Sequence, residues 1–404
     1  MEFEKILKNV IKKNENKILL LVMDGLGGLP HPETGLTELE TAKKPNLDAL
    51  AKSGMCGLSI PVLYGITPGS GPAHLSLFGY DPIEHQIGRG VLEVLGIGME
   101  MEKNDLAIRG NFATIDANHI VLDRRAGRIS TEENKDLVNR IQEKIKSIKN
   151  VQIIIQTVKE HRLAILLRGE NLSPDVTEND PQKEGLAIRR ITALNERAKF
   201  TAEVLNEFIA KVEQILADVD TKAKTILLRG FSGIPEIEPF QHRYLLKPAC
   251  IASYPMYKGL AKLVGMDVIR GLESIDDEIK ALNDLYNEYD FFYLHYKKTD
   301  STGEDGNFEK KVAAIEEFDE KISKIKHLKF EVVCLTGDHS TPSVLKGHSW
   351  HPVPLAIVSK NAISDNVDTF TERACAKGML GTIPATNVMY ILLANALKFD
   401  KFGA

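Results

Sequence analysis

Ile18-Leu19-Leu20-Leu21-Val22-Met23-Asp24-Gly25-Leu26-Gly27-Gly28 is the stretch on which the reading of this chain turns. A continuous apolar run with no polar alternation predicts a strand buried on both faces, as in a parallel sheet covered by helices. The run stops at an acid followed by glycines. Those glycines do not have G-x-G-x-x-G spacing, and an acid stands where the first glycine of a dinucleotide turn belongs. Ligands of an open parallel sheet gather beyond the carboxyl ends of its strands. Asp24 is therefore a positioned carboxylate, although an Asx-turn or a helix cap uses the same residue type.

The same arrangement recurs further along. Phe291 to His295 reads as a strand ending before Lys298-Thr299-Asp300, and Glu331 to Leu335 as a strand entering Thr336-Gly337-Asp338-His339. Pro354 to Val358 is a strand that follows His348. Each acid or histidine taken alone has a local explanation, such as a turn cap or a satisfied backbone carbonyl. Gathered at one sheet edge, carboxylates and imidazoles make a site for divalent cations. His295, inside a strand, and His351, beside a proline, fit local roles. His74 reads as a packing or supporting residue.

Thr67-Pro68-Gly69-Ser70-Gly71-Pro72-Ala73-His74-Leu75 supplies a hydroxyl between two glycines. Pro72 and Ala73 open a helix predicted to run to Phe78, with Ser70 as its N-cap. Helix N-termini favour negative charge, so this is a place for a phosphate or an alkoxide. If metals lie nearby, the hydroxyl becomes a candidate nucleophile for phosphoryl transfer.

With 404 residues, 43% hydrophobic and 26% charged, the chain fits a soluble globular enzyme of one large or two ordinary domains. A net charge of −5 gives no basic surface for nucleic acid. No apolar run near the start is long enough for a membrane span or a signal core, so no membrane association and a cytoplasmic location are expected. Cys56, Cys250, Cys334 and Cys375 form no CxxC pair and read as buried free thiols. From about Asn111 the pattern changes to hairpin, helix, hairpin, helix, strand. The expectation is an α/β fold with a mainly parallel sheet flanked by helices. It comprises residues 1–110 and 244–404, interrupted by a smaller inserted α+β domain over 111–243. That insert holds Asp123-Arg124-Arg125-Ala126-Gly127-Arg128, His161-Arg162 and Arg229. Arginine forks bind phosphate and carboxylate in a bidentate way, and equally serve solvation or ion pairing.

Taken with Phe78-Gly-Tyr-Asp-Pro82, Thr299-Asp300 with Gly303, Leu335 to Pro342 and His348-Ser with Pro352-Val-Pro354, these segments resemble the archaeal-type, cofactor-independent phosphoglycerate mutases of the alkaline phosphatase superfamily. The resemblance covers essentially the whole chain in order. It implies an alkaline-phosphatase-like core and interconversion of 3-phosphoglycerate and 2-phosphoglycerate through a phosphoserine at Ser70, without 2,3-bisphosphoglycerate. One divalent metal would be held by Asp24, Ser70, Asp338 and His339, the other by Asp300, Glu304 and His348. Mn²⁺ is the expected ion, with Mg²⁺, Co²⁺ or Zn²⁺ as alternatives. Lys258 would neutralise the transferring phosphoryl group. Asp123, Arg124, Arg125, Arg128, His161, Arg162 and Arg229 would bind the phosphoglycerate substrate. The chain departs from the family at Glu304, where a histidine is usual, with Asp305 as a substitute donor, and at Gln182, which ends Asn179-Asp180-Pro181-Gln182 in place of histidine. Those departures keep open a related metal-dependent phosphatase, or a relative proposed to act as a homoserine kinase. A metal-bound but catalytically idle binding protein is the third reading. Oligomeric state is left undecided between monomer and homo-oligomer.

Overall fold

The computed structural model describes residues 2–403, with side chains from residue 6 onward. It divides into two units: residues 1–86 with 237–404, and residues 87–236. The first is built on an eight-stranded sheet. Its strand order is Asp267–Val268, Pro248–Ala252, Phe291–Tyr296, Ile18–Met23, Val332–Thr336, Val353–Ser359, Met55–Ile60, Gly381–Pro384. Every strand but Val353–Ser359 runs in one direction.

Ile18–Met23 lies centrally and is buried along its whole length, as its unbroken apolar run requires. Leu19, Leu21, Phe292 and Leu294 point to one face and join Leu47, Ile279, Leu282, Ile315 and Phe318 from the helices Pro45–Ser53, Ile275–Leu285 and Phe308–Ile322. Each such fully buried side chain contributes about 2 kcal/mol. On the other face, Tyr293 and His295 meet His74 of the helix Ser70–Leu77, Phe78 just past its end, and Tyr257 of the helix Pro255–Leu263.

This topology delivers five segments to one edge. Met23 pairs with Tyr296, and Val22 with Thr336, so the turns after these strands emerge side by side. Met55–Ile60 ends at the same edge and leads to Ser70. Because Val353–Ser359 is antiparallel to Val332–Thr336, its beginning, and hence His348, comes to that edge too.

The second unit has a six-stranded antiparallel sheet. Leu106–Ile115 is its axis, with Arg162–Arg168 and Thr225–Ser232 along it. Helices Thr131–Lys144 and Lys199–Ala217 cover one face, burying Leu137, Ile141, Leu205 and Phe208 against Ile108, Ile165 and Ile226. Its limits differ from the expected 111–243. Arg89–Gly96 and the whole of Leu106–Ile115 belong to it. A Cβ on Gly90 would lie 2.4 Å from Gly230 O and 2.5 Å from Ala107 O, so only glycine lets that helix approach the strands. Arg109 and Gly110 interrupt the apolar pattern in mid-strand, which conceals the strand's start in the sequence. At the other end Arg243 and Tyr244 belong to the first unit, bonded to Gly79 O and Phe78 O at 3.0 and 2.9 Å. All four cysteines are buried free thiols. Among the described residues no helix is long and apolar enough to cross a membrane.

Candidate metal and phosphoryl-transfer site

Asp24, Asp300, Asp338, His339 and His348 converge at the sheet edge. Two groups of potential metal donors form there: Asp24, Asp338 and His339, and Asp300, His339 and His348. Except for half-buried His348, all are buried.

His339 is the hinge of the cluster, and its hydrogen bonds assign its tautomer. The Thr341 hydroxyl has one proton and donates it to Asp300 Oδ1 at 2.6 Å. It must therefore accept from His339 Nδ1–H at 3.0 Å. Burial pushes the His339 pKa down, which favours the neutral ring. The bare Nε2 lone pair then faces Ser70 Oγ at 3.1 Å and Asp24 Oδ1 and Asp338 Oδ2 at 3.3 Å each. His348 stacks on His339 with centroids 3.7 Å apart, and its Nδ1 lies 2.9 Å from Pro68 O. This leaves His348 Nε2 towards Asp300 Oδ1 at 3.6 Å and Glu304 Oε1 at 3.7 Å.

The two oxygens of Asp24 are treated differently. Oδ2 faces the Tyr257 hydroxyl, Lys297 Nζ at 3.0 Å and His295 Nε2 at 3.2 Å. Oδ1 is buried with no hydrogen-bond donor, and so is Asp338 Oδ2. Asp338 Oδ2 lies 3.1 Å from His74 Nδ1, but that ring nitrogen is engaged with Ser70 O at 2.9 Å. Burial pushes the Asp24 carboxyl up, yet Lys297, then His295 and His339, outweigh it and hold the group well below its ordinary value. Burial and Asp24 push Asp338 up, and His339 and His74 bring it below the usual carboxylate range. Ionised oxygens without donors, facing an imidazole lone pair, form an arrangement that a divalent cation would complete. The donor set therefore fits such ions on the chain's own geometry.

Ser70 differs from its expected role in one respect. Gly69 is the N-cap, and Ser70 is the first residue of the helix Ser70–Leu77, with no cap bond from its side chain. The hydroxyl is turned to His339 instead of back onto the helix. Glu304 is more than half exposed beside His348, and partial desolvation followed by the Asp300 charge raises its carboxyl pKa. Lys258 is half-buried, and its charge is felt by Glu278 and Cys250. No hydrogen bond or ion pair joins it to the carboxylate cluster. The cation bonded to the cluster is Lys297, which also donates to Asp300 Oδ2 at 2.5 Å, and the neighbouring Tyr257 supplies a hydroxyl. Sequence reasoning missed Lys297, Tyr257 and Thr341, and read His295 as local. Lys297 stands three residues before Asp300 and Thr341 two after His339, a spacing that could have found both.

The sequence-predicted residues of the inserted unit part ways. Asp123 accepts the Arg125 and Gly127 N–H groups at 2.7 Å each and so holds its own turn. Arg124 forks onto Asp180 at 3.0 and 2.6 Å. Arg162 and Arg229 come together with two residues the sequence reading left out. Arg109 pairs with Arg229, and Asn111 with Arg162, across neighbouring strands. Burial and then Arg229, Arg162 and Arg89 lower the Arg109 pKa, against Glu93 at 3.7 Å. Arg109 Nε, Arg229 Nε and Asn111 Oδ1 are buried without a hydrogen-bond partner, although Arg109 Nε keeps its ion pair with Glu93. Concentrated positive charge with arginine N–H groups not yet hydrogen-bonded suits an oxyanion.

His161 lies beside this face, and Arg125 and Arg128 act on it electrostatically. Burial first, then Arg162, push it from 6.5 to about 4, against Glu160. Between those values the unfolded chain holds a proton that the folded chain does not. Stability therefore falls as pH drops through that window, and His161→Gln should lessen the fall. Urea midpoints at pH 7 and pH 5 check this: an equal acid loss in wild type and variant would assign the effect elsewhere.

A model of the 2,3-bisphosphoglycerate-independent phosphoglycerate mutase family matches residues 51–221. A relative from Aquifex aeolicus, named "Probable 2,3-bisphosphoglycerate-independent phosphoglycerate mutase", is 54% identical over 99% of this chain and 100% of its own. One of the same name from Deinococcus radiodurans is 47% identical over 98% of each chain. Among solved structures, the cofactor-independent phosphoglycerate mutase of Thermoplasma acidophilum is 31% identical, with a TM-score of 0.72 over 94% of this chain and 100% of that one. A protein of Pyrococcus horikoshii is also 31% identical, with a TM-score of 0.82 over 96% and 99%.

Proposed function

Because this chain belongs to the 2,3-bisphosphoglycerate-independent phosphoglycerate mutase family, we propose that it interconverts 3-phosphoglycerate and 2-phosphoglycerate through a phosphoserine at Ser70. The observation that carries the site assignment is the Ser70 hydroxyl, 3.1 Å from the bare His339 Nε2 and beside carboxylate oxygens without donors.

Asp24, Ser70, Asp338 and His339 would hold one divalent ion, and Asp300, His348 and Glu304 a second. Carboxylate with imidazole suits Mn²⁺ among the candidates. When bound, such ions lower the pKa of a hydroxyl and neutralise charge on a transferring phosphoryl group. The chain's own residues do the rest. Ser70 sits on the first turn of its helix, so free N–H groups lie near any phosphoryl group its oxygen receives. Attack by Ser70 Oγ forms an Oγ–P bond as the bond from phosphorus to the glycerate oxygen breaks, and that oxygen takes up the proton Ser70 gives up. The other glycerate hydroxyl then takes the phosphoryl group back, regenerating the serine. In the second unit, Arg109, Arg162 and Arg229 are the groups proposed to bind a substrate carboxylate.

The test is conversion of 3-phosphoglycerate to 2-phosphoglycerate with Mn²⁺ and no added 2,3-bisphosphoglycerate, with free phosphate followed in parallel. Conversion far outpacing phosphate release is expected. Phosphate release alone would replace the mutase by a phosphatase, the reading that Glu304 and Gln182 motivate.

A further inference from the structure

We propose that Lys311 is the positioning residue that ties together the two loops carrying Asp24 and Asp338-His339. The inference rests on the metal reading above. Lys311 lies near the start of the helix Phe308–Ile322, which Asn307 caps through the Lys310 N–H. Ile315, Phe318 and Ile322 form the helix's buried stripe, and Lys311 continues it one turn before Ile315. Its side chain is fully buried. Desolvation opposes a cation there, so a position that needed only packing would be better filled by leucine or methionine.

The ammonium has three protons, and all three are placed. They go to Gly25 O at 2.9 Å, Gly27 O at 3.1 Å and Thr341 O at 2.8 Å. No carboxylate receives one: Glu38 Oε1 is 4.0 Å away and accepts the Ser343 N–H and hydroxyl at 2.9 and 2.7 Å. Gly25 follows Asp24 directly, and Thr341 follows the Asp338-His339 pair and carries the hydroxyl that orients His339. Three carbonyl dipoles converging on one point repel one another unless a cation holds them. Gly303 leans on the same carbonyl, because a Cβ there would lie 2.3 Å from Thr341 O. The helix bearing Asp300 and Glu304 is thereby referred to the same point. Lys311 thus fixes how far apart the two sets of donors stand while touching none of them.

Mn²⁺ titration of wild type and Lys311→Met tests this. The variant should melt cooperatively and bind Mn²⁺ roughly 10–100-fold more weakly. Its kcat should recover in excess Mn²⁺ with the substrate KM unmoved. The double variant Glu38→Gln/Lys311→Met removes both buried charges and should stay weak. Native Mn²⁺ affinity in Lys311→Met, or its recovery in the double variant, would overturn the assignment. If neither variant folds, hydrogen exchange of the wild-type protein decides: Mn²⁺ should protect segments 24–28, 308–312 and 338–343 together. Protection of the two loops without 308–312 overturns it. A wild-type chain that takes no Mn²⁺ removes the metal reading, and this inference with it, before any variant is made.

Discussion

Ser70→Ala is expected to lower kcat by on the order of 10⁴-fold or more, the scale seen when a covalent nucleophile is lost. The fold should survive, because the Ser70 side chain caps nothing: the helix begins from Gly69, and the hydroxyl's partner is His339 Nε2. An alanine at the first helical position is favourable for the helix itself. The loss should therefore be chemical, with an unchanged melting curve. A second readout separates the covalent route from simple substrate orientation. Wild-type protein quenched during turnover should carry a phosphoryl group on the peptide containing residue 70, and the variant should carry none. A variant that keeps the wild-type rate, or a phosphoryl group found on another residue, would sink the phosphoserine mechanism.

The reasons why Ser70 was legible, and its setting less so, lie in the chemistry of neighbours. Asp24, Asp300 and Asp338 were readable because each stands just past an apolar run. A parallel sheet brings such positions together without knowledge of strand order. His348 was readable for the converse reason, since it precedes the antiparallel strand Val353–Ser359. Gly69 and Ser70 are both good cap residues, and the contact of the Ser70 hydroxyl with His339 distinguishes them. His295 reads as a strand-interior residue, and it is one. Its role comes from the Tyr257 ring, 3.7 Å away, and from Asp24, neither of them near in sequence. Arg109 and Asn111 alternate with Ile108 and Phe112, so their common face was visible only once the strand was known to begin at Leu106. Lys311 sits at a stripe position where periodicity assigns an apolar residue, and a single lysine there reads as an exception until its three carbonyls are seen.

His339→Ala should have the other large effect, and comparison with Glu304→Ala makes it informative. His339 Nε2 lies 3.3 Å from Asp24 Oδ1 and Asp338 Oδ2 and 4.0 Å from Asp300 Oδ1, so it borders both donor groups. With Nδ1–H held by Thr341, the ring has one lone pair, and one lone pair serves one cation. Given to the ion beside Asp24, Asp338 and Ser70, it leaves Asp300 and His348 one donor short. Glu304, 3.7 Å from His348 Nε2, is the group placed to supply it. Glu304→Ala should then reduce bound Mn²⁺ from two ions to one per chain while the His339-bearing site keeps its affinity. His339→Ala should weaken that site by more than the roughly 10–100-fold typical of residues that only orient a ligand. Loss of that ion removes what would activate Ser70, so kcat should fall nearly as far as in Ser70→Ala. Calorimetric or magnetic-resonance Mn²⁺ titrations of the three proteins give the stoichiometry directly. Two ions bound at native affinity by His339→Ala would assign the lone pair to neither site. Two bound by Glu304→Ala would show that Asp300 and His348 are completed without it.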